Sequence, residues 1–323
     1  PRRQVEAGGR RAVEMFRTLH QVLRLSRAPG EGGAGTPPRQ RKIVLVAETG
    51  CDLTPERAGE LGVYLVPMHV SMGLETRPDG SFPPEEVCAY YDRTGEVPQT
   101  SAASQYDFER VFNEIESLNP GADIVHLAYS ASTTASFHNA LMAAAGSGYR
   151  VLSVDTKHVS VGQAAVAIEA ARLLREHPEL TPELLGAAAE RIAAKTHMCF
   201  VPQNLDYLRA GGRVSNAAAL ISGVLNLHPC ISVSDGRLVA GRKYRGSMVK
   251  VARRLIRDEA QAHNFRRDML YFIHSPGLPD EVRKAAEDEA RCCGFERTEW
   301  VKTGCVITCH GGPGAFGVVG FSR

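Results

Sequence analysis

At 323 residues the chain is long enough for a large core and about two domains. Its net charge is +2, yet residues 1–42 hold ten Lys/Arg against three Glu (Glu6, Glu14 and Glu31), an excess of seven that leaves the remainder at −5. A mildly acidic body has no basic stripe with interleaved aromatics, which excludes a nucleic-acid-binding body, and no run approaches the roughly 20 apolar residues of a membrane span.

In chain order, residues 12–25 place Val13, Phe16, Leu19, Val22 and Leu23 at mostly helical spacing among Arg17, His20 and Arg24, a short basic amphipathic helix. Its ordinary role is a packed or frayed extension; the alternative is peripheral contact with an anionic membrane surface. Residues 29–40 (PGEGGAGTPPRQ) form a flexible linker, because Gly and Pro suppress helix and strand alike. The folded body then opens with Lys42–Ala47, a continuous apolar run expected of a strand buried on both faces. A helix follows from Thr54 as cap with Pro55 in its first turn. Next come the apolar run Val63–Val70, a helix near 84–93, a helix from Gln105, the strand Ile124–Tyr129, the helix Thr134–Gly146 and the strand Val151–Asp155. Such alternation predicts a parallel α/β sheet. Beyond it, helices at 163–176, 181–196, 247–262 and 279–292 mix with a helical turn at 205–209, the apolar stretch 217–227, and strands at Cys230–Ser234, Leu238–Tyr244 and Val306–Cys309, an α+β pattern. The expected division is therefore a basic extension and linker (1–41), an α/β domain (42–158) and an α+β domain (159–323).

Without a secretory signal pattern at the N-terminus, the expected location is the cytoplasm. The eight cysteines (51, 88, 199, 230, 292, 293, 305 and 309) show no repeated spacing, so free thiols are expected rather than a disulfide framework. No metal site is expected either.

Three segments carry candidate chemistry. Val97-Pro-Gln-Thr-Ser-Ala-Ala-Ser104 offers Thr100 and Ser101 just before a helix start, where hydroxyls and free N–H groups make a small anion site. Ser130-Ala-Ser-Thr-Thr-Ala-Ser136 follows a strand C-terminus, the position where open α/β sheets bind ligands. Cys305–Gly314 delivers His310 from a strand end into a glycine-rich turn, and Leu205–Ser215 leaves Arg213 at a helix C-terminus, suited to a carboxylate or phosphate. Several familiar motifs fail. Gly312, Gly314 and Gly317 satisfy G-x-G-x-x-G, but six residues after Gly317 leave no room for a dinucleotide-binding unit. His310-Gly-Gly is similar to an esterase oxyanion turn, but no G-x-S-x-G elbow exists.

Taken together, the chain from Lys42 onward resembles the DegV family, through Glu48-Thr49-Gly50-Cys-Asp52, Leu61–Pro67, Pro98-Gln-Thr-Ser101, Asp155-Thr156, Leu205–Val214, Tyr244-Arg-Gly246 and His310-Gly-Gly-Pro-Gly314. The resemblance implies a two-domain fold, a parallel α/β sheet domain followed by an α+β domain. It implies a non-enzymatic carrier that binds one long-chain fatty acid such as palmitate and presents it to a separate fatty acid kinase of the dihydroxyacetone-kinase type, then holds the acyl phosphate. No cofactor is implied. Carried over by position, the ligand-binding residues are Thr100, Ser101, Ser130, Thr134, Arg213 and His310. The sequence departs from the family in having Glu48-Thr49-Gly50 for Asp-Ser-Thr, and in the glycines missing from 130–136. The physics is coherent: several donors offset the cost of burying a carboxylate, and each buried methylene contributes about 0.8 kcal/mol. The alternative is an esterase or acyltransferase using Ser130 or Cys309 with His310. A third reading, a regulator docking on membrane or nucleic acid, rests on residues 1–42 alone.

Overall fold

Strand-forming apolar runs and helix caps account for most of the architecture in the computed structural model, which describes residues 41–146, 148–214 and 227–323. The amphipathic segment at 12–25, the linker at 29–40 and most of the apolar stretch 217–227 lie outside those residues. Residues 41–323 form one compact unit.

A parallel sheet of order β2-β1-β6-β7 comprises β1 (Ile43–Glu48), β2 (Val63–Val66), β6 (Asp123–Ala128) and β7 (Arg150–Asp155). Val44–Ala47 and all of β6 are buried, as two-sided cover by helices demands. The apolar run 63–70 divides into two strands. Pro67 lacks an N–H donor and interrupts the ladder, so β2 joins the parallel sheet while β3 (His69–Met72) turns into a small antiparallel sheet, β4-β3-β5, with β4 (Glu75–Pro78) and β5 (Gln99–Ser101). Two of the four helices of this half begin at a side-chain cap. Thr54 accepts from the Arg57 N–H ahead of α1 (Pro55–Leu61), α2 spans Glu85–Thr94, Ser104 and Asp107 form a capping box for α3 (Gln105–Leu118), and α4 is Ser136–Ala145.

Two long helices follow, α5 (Ser160–Glu176) and α6 (Pro182–Lys195), then α7 (Leu205–Gly211). The second sheet has order β10-β9-β8-β13-β11-β12 and is antiparallel except for the β11–β12 pair. Of its strands, β9 (Leu227–Ser234) and β10 (Arg237–Arg245) were expected; β8 (Thr196–Val201), β11 (Leu270–His274), β12 (Thr298–Lys302) and β13 (Phe316–Phe321) were not. α8 (Met248–Ala262) and α9 (Asp280–Cys292) cover one face, packing on a core of Leu255, Ile256, Val282, Phe272 and Phe316. The α/β class with a parallel sheet followed by a mixed one is as the sequence implied.

One local expectation is corrected. Val306–Cys309 is no strand but part of α10 (Cys305–Gly311). Two buried carboxylates hold its first turn: Asp52 accepts from the Gly304 N–H at 2.7 Å, and Asp79 accepts from Cys305 at 2.9 Å and Val306 at 3.3 Å. β-Branched and sulfur-containing residues favour a strand locally, but satisfying these N–H groups needs a helix start beside the two aspartates. All eight cysteines are free.

Candidate functional site

Against the six-stranded sheet, and closed by β5, α10 and the loop that follows β6, lies a cavity with a largely apolar wall: Met68, Tyr129, Met198, Phe200, Ile273 and Phe316 contribute, with Val306 and Ile307 of α10. Met198 and Phe200 alternate with Cys199 along β8, so one face of that strand lines the cavity. Polar groups gather at one part of the wall: Thr100, Ser101, Thr133, Thr134, Arg213 and His310. Five of the six predicted residues are thereby brought together. Its volume is about 70 Å³, room for about five water molecules.

The central contact joins residues 210 apart in sequence. Thr100 Oγ1 and His310 Nε2 are 2.9 Å apart and hydrogen-bonded. Thr100 comes from the short strand β5, just ahead of α3, whose Asp107 N–H is capped by Ser104. His310 rides the last turn of α10. Burial, then the positive charge of Arg213, brings the His310 imidazole down to about 4, so it is neutral near pH 7. Among the described residues its Nδ1 has no hydrogen-bond partner. An unpaired buried N–H costs more than an unpaired lone pair, so the proton belongs on Nε2. Nε2–H then donates to Thr100 Oγ1, leaving the threonine O–H free to donate to an incoming oxygen.

Gly211 explains how the ring is seated. A Cβ at Gly211 would lie 2.3 Å from His310 Nδ1, so α7 approaches the imidazole as closely as a backbone without a side chain permits. Gly212 then takes a left-handed conformation (φ 62) that ends α7, and Arg213 Nη1 donates to the Gly211 carbonyl at 2.7 Å. Ser101 and Arg213 are exposed at the cavity edge, while Thr100 and Thr134 are half-buried.

Ser130 stands apart. Its hydroxyl is fully buried and donates to the Gly236 carbonyl at 2.7 Å, pinning the β9–β10 turn rather than facing the cavity. Thr134 Oγ1 and Ser136 Oγ are 3.1 Å apart, and Ser136 accepts from the Ala103 N–H, so the two hydroxyl loops are tied to each other. Sequence reasoning missed Thr133, which lines the cavity one residue before Thr134, and Arg237, which with Arg213, Ser132 and Thr133 lines an adjoining polar recess of about 320 Å³. Arg237 carried no local signal, because only the β9–β10 hairpin brings it near loop 130–136.

Behind the wall, Glu48, the departure from the family pattern, is fully buried. Burial alone would raise its carboxyl, but His126, the Tyr129 N–H and the Gln163 amide together carry it below the usual range. Glu48 thus anchors the backbone where Tyr129 enters the cavity wall. No helix among the described residues is long and apolar enough to cross a membrane.

Comparison with known proteins places the chain. Residues 42–323 match the family described as uncharacterised proteins of DegV type. The chain belongs to the DegV family. A DegV domain-containing protein of Deinococcus radiodurans is 30% identical over 279 residues, covering 85% of this chain and 97% of the relative. Among solved structures, a DegV protein of Thermus thermophilus described by its fatty acid binding superposes with a TM-score of 0.77 at 29% identity, over 87% of this chain and all (100%) of the other. DegV of Bacillus subtilis, a fatty acid binding protein, shares the fold with a TM-score of 0.74 at 20% identity, over 87% of this chain and 100% of the other. In the DegV chain described here, β5, the 130–136 loop, α7 and α10 together supply the polar end of the cavity.

Proposed function

We propose that this DegV protein binds a long-chain fatty acid, with the carboxylate at Thr100 and His310 and the acyl tail along the apolar wall. The observation that carries the reading is the hydrogen-bonded Thr100–His310 pair in a cavity that joins a group of polar side chains to a largely apolar wall. The O–H of Thr100, the hydroxyls of Ser101 and Thr134 and the guanidinium of Arg213 supply donors, which a buried carboxylate requires. At about 70 Å³ the cavity takes a full tail only when lining side chains move, and Met68 and Met198, unbranched and adaptable, are suited to do so.

The finer part of the proposal is that the protein acts as a carrier, presenting the acid to a separate kinase of the dihydroxyacetone-kinase type and then holding the acyl phosphate. Arg213 and Arg237 around the adjoining recess support it, since guanidinium pairs suit a phosphoryl group. The esterase alternative lacks such support: the Ser130 hydroxyl is committed to Gly236, Cys309 does not line the cavity, and burial raises its thiol. His310 Nδ1 also has no carboxylate to orient it.

The test is a thermal melt of delipidated protein with saturated and unsaturated acids. Ligand at about 100 times its Kd adds about 2.7 kcal/mol, or roughly 4 °C in Tm for a chain of this size. If no acid of about fourteen to eighteen carbons moves the melt, the reading is wrong. The carrier step is checked separately by whether acyl phosphate forms only when ATP and such a kinase are both added.

A further inference from the structure

The face of β8 turned away from the cavity carries a second constellation. Cys199 lies opposite Ser232 of β9, so Cys230, two residues along, shares its face of the sheet and points with it toward α8. From α8 comes Glu259. The two thiol sulfurs and a Glu259 carboxylate oxygen all lie within 4.8 Å of one another, and both cysteines are buried. One helical turn on, His263 places Nε2 3.4 Å from Glu259 Oε2 and stacks on His197 of β8 with ring centroids 3.9 Å apart.

We propose that Cys199, Cys230 and Glu259, with His263 as fourth ligand, form a binding site for a soft divalent cation of the zinc type. Spacing favours it: two ligands come from neighbouring strands on one face, one from the last turn of α8 and one, four residues on, from the residue that caps it. Distance favours it too: tetrahedral coordination at about 2.0–2.3 Å sets ligand atoms on the order of 3.5–4 Å apart, so Cys199, Cys230 and Glu259, within 4.8 Å of one another, close with shifts of about 1 Å, and His263 stands beside them against Glu259 at 3.4 Å. Charge supplies the reason. Three groups that are each anionic when ionised are crowded in a largely apolar core, where a bound cation compensates their charge. On binding, the metal replaces the two thiol protons, and the carboxyl proton where Glu259 holds one; these leave to solvent, and the two positive charges meet three negative ones.

The experiment uses the full chain, reduced and stripped with a chelator, then titrated with Co2+ and competed with Zn2+. The expected result is one equivalent bound, an intense thiolate-to-cobalt absorption band with the visible spectrum of a tetrahedral site, proton release on binding, and a higher Tm with Zn2+. Cys230→Ala should abolish the band, and Glu259→Gln, on a half-buried helix position that leaves the core intact, should weaken binding by about tenfold or more. Cys292→Ala, an exposed thiol, should change nothing. A wild type with no thiolate band overturns the proposal, as does Glu259→Gln binding Co2+ like wild type. A Cys199–Cys230 disulfide that forms in air, with no metal uptake after reduction, also overturns it.

Discussion

Gly211→Ala isolates the contact on which the head-group site depends. The new Cβ would sit 2.3 Å from His310 Nδ1 and 3.1 Å from Cε1, well inside van der Waals contact, while Nε2 is held on the far side by Thr100 at 2.9 Å. The ring cannot retreat without breaking that hydrogen bond. Two opposing effects act on stability. Ala in place of a helical Gly is favourable by about 0.5–1 kcal/mol, whereas overpacking costs about 1–3 kcal/mol. The net change in unfolding free energy should therefore lie between nothing and a loss of about 2.5 kcal/mol. Binding should suffer more, because displacing His310 releases the Thr100 hydroxyl from the orientation in which it donates to the carboxylate, a charge-assisted hydrogen bond worth about 1.5–3 kcal/mol, or roughly 10- to 150-fold in Kd. Displacement of a fluorescent fatty acid measures the affinity and urea unfolding the stability. In a His310→Ala background the same glycine substitution should cost little of either, since the clash partner is gone, so a double-mutant cycle separates the steric effect from any other. Wild-type affinity in Gly211→Ala would refute the reasoning outright.

Other outcomes follow from the same geometry. Thr100→Val should weaken fatty acid binding by roughly 10- to 150-fold. Ser130→Ala should instead leave affinity nearly unchanged and cost about 1–3 kcal/mol of stability, because the buried Gly236 carbonyl loses its donor; a large drop in affinity without destabilisation would contradict that assignment. His197, His274 and His310 are each brought down to about 4 by burial, with neighbouring positive charge adding to it. Their folded values lie below the unfolded 6.5, so between those limits the unfolded chain binds more protons. Stability should be full above about pH 6.5, fall as pH drops toward 4 and level off below, as followed by denaturant melts; His310→Gln should flatten part of the slope. A bound carboxylate favours the imidazolium, so calorimetry near pH 5 in buffers of different ionisation enthalpy should detect proton uptake on fatty acid binding.

How legible the site was depends on where its signals lay. Thr100, Thr134, Arg213 and His310 stand in short stretches whose composition is unusual for their local elements, so sequence could single them out. Their partners could not be read. That Thr100 meets His310, that Gly211 backs the ring and that Ser130 turns away to Gly236 all depend on contacts between segments 100 to 210 residues apart. The helical state of 305–311 was hidden because its apolar residues suit a strand, and the deciding partners, Asp52 and Asp79, lie more than 220 residues away.

Sequence by itself determined the elements whose cause is local: the buried run of β1, the caps Thr54 and Ser104, the end of α7 at Gly212, and the α/β order of the first half. Those depend on hydrophobic period, side-chain capping and backbone freedom, all written within a few residues. Only the tertiary structure decided which sheet each strand joined, and it is burial that does so. β8, β11 and β13 are short strands covered by neighbours from remote parts of the chain, and their pairing alone creates the two-sided wall: Met198 and Phe200 toward the cavity, Cys199 toward Glu259.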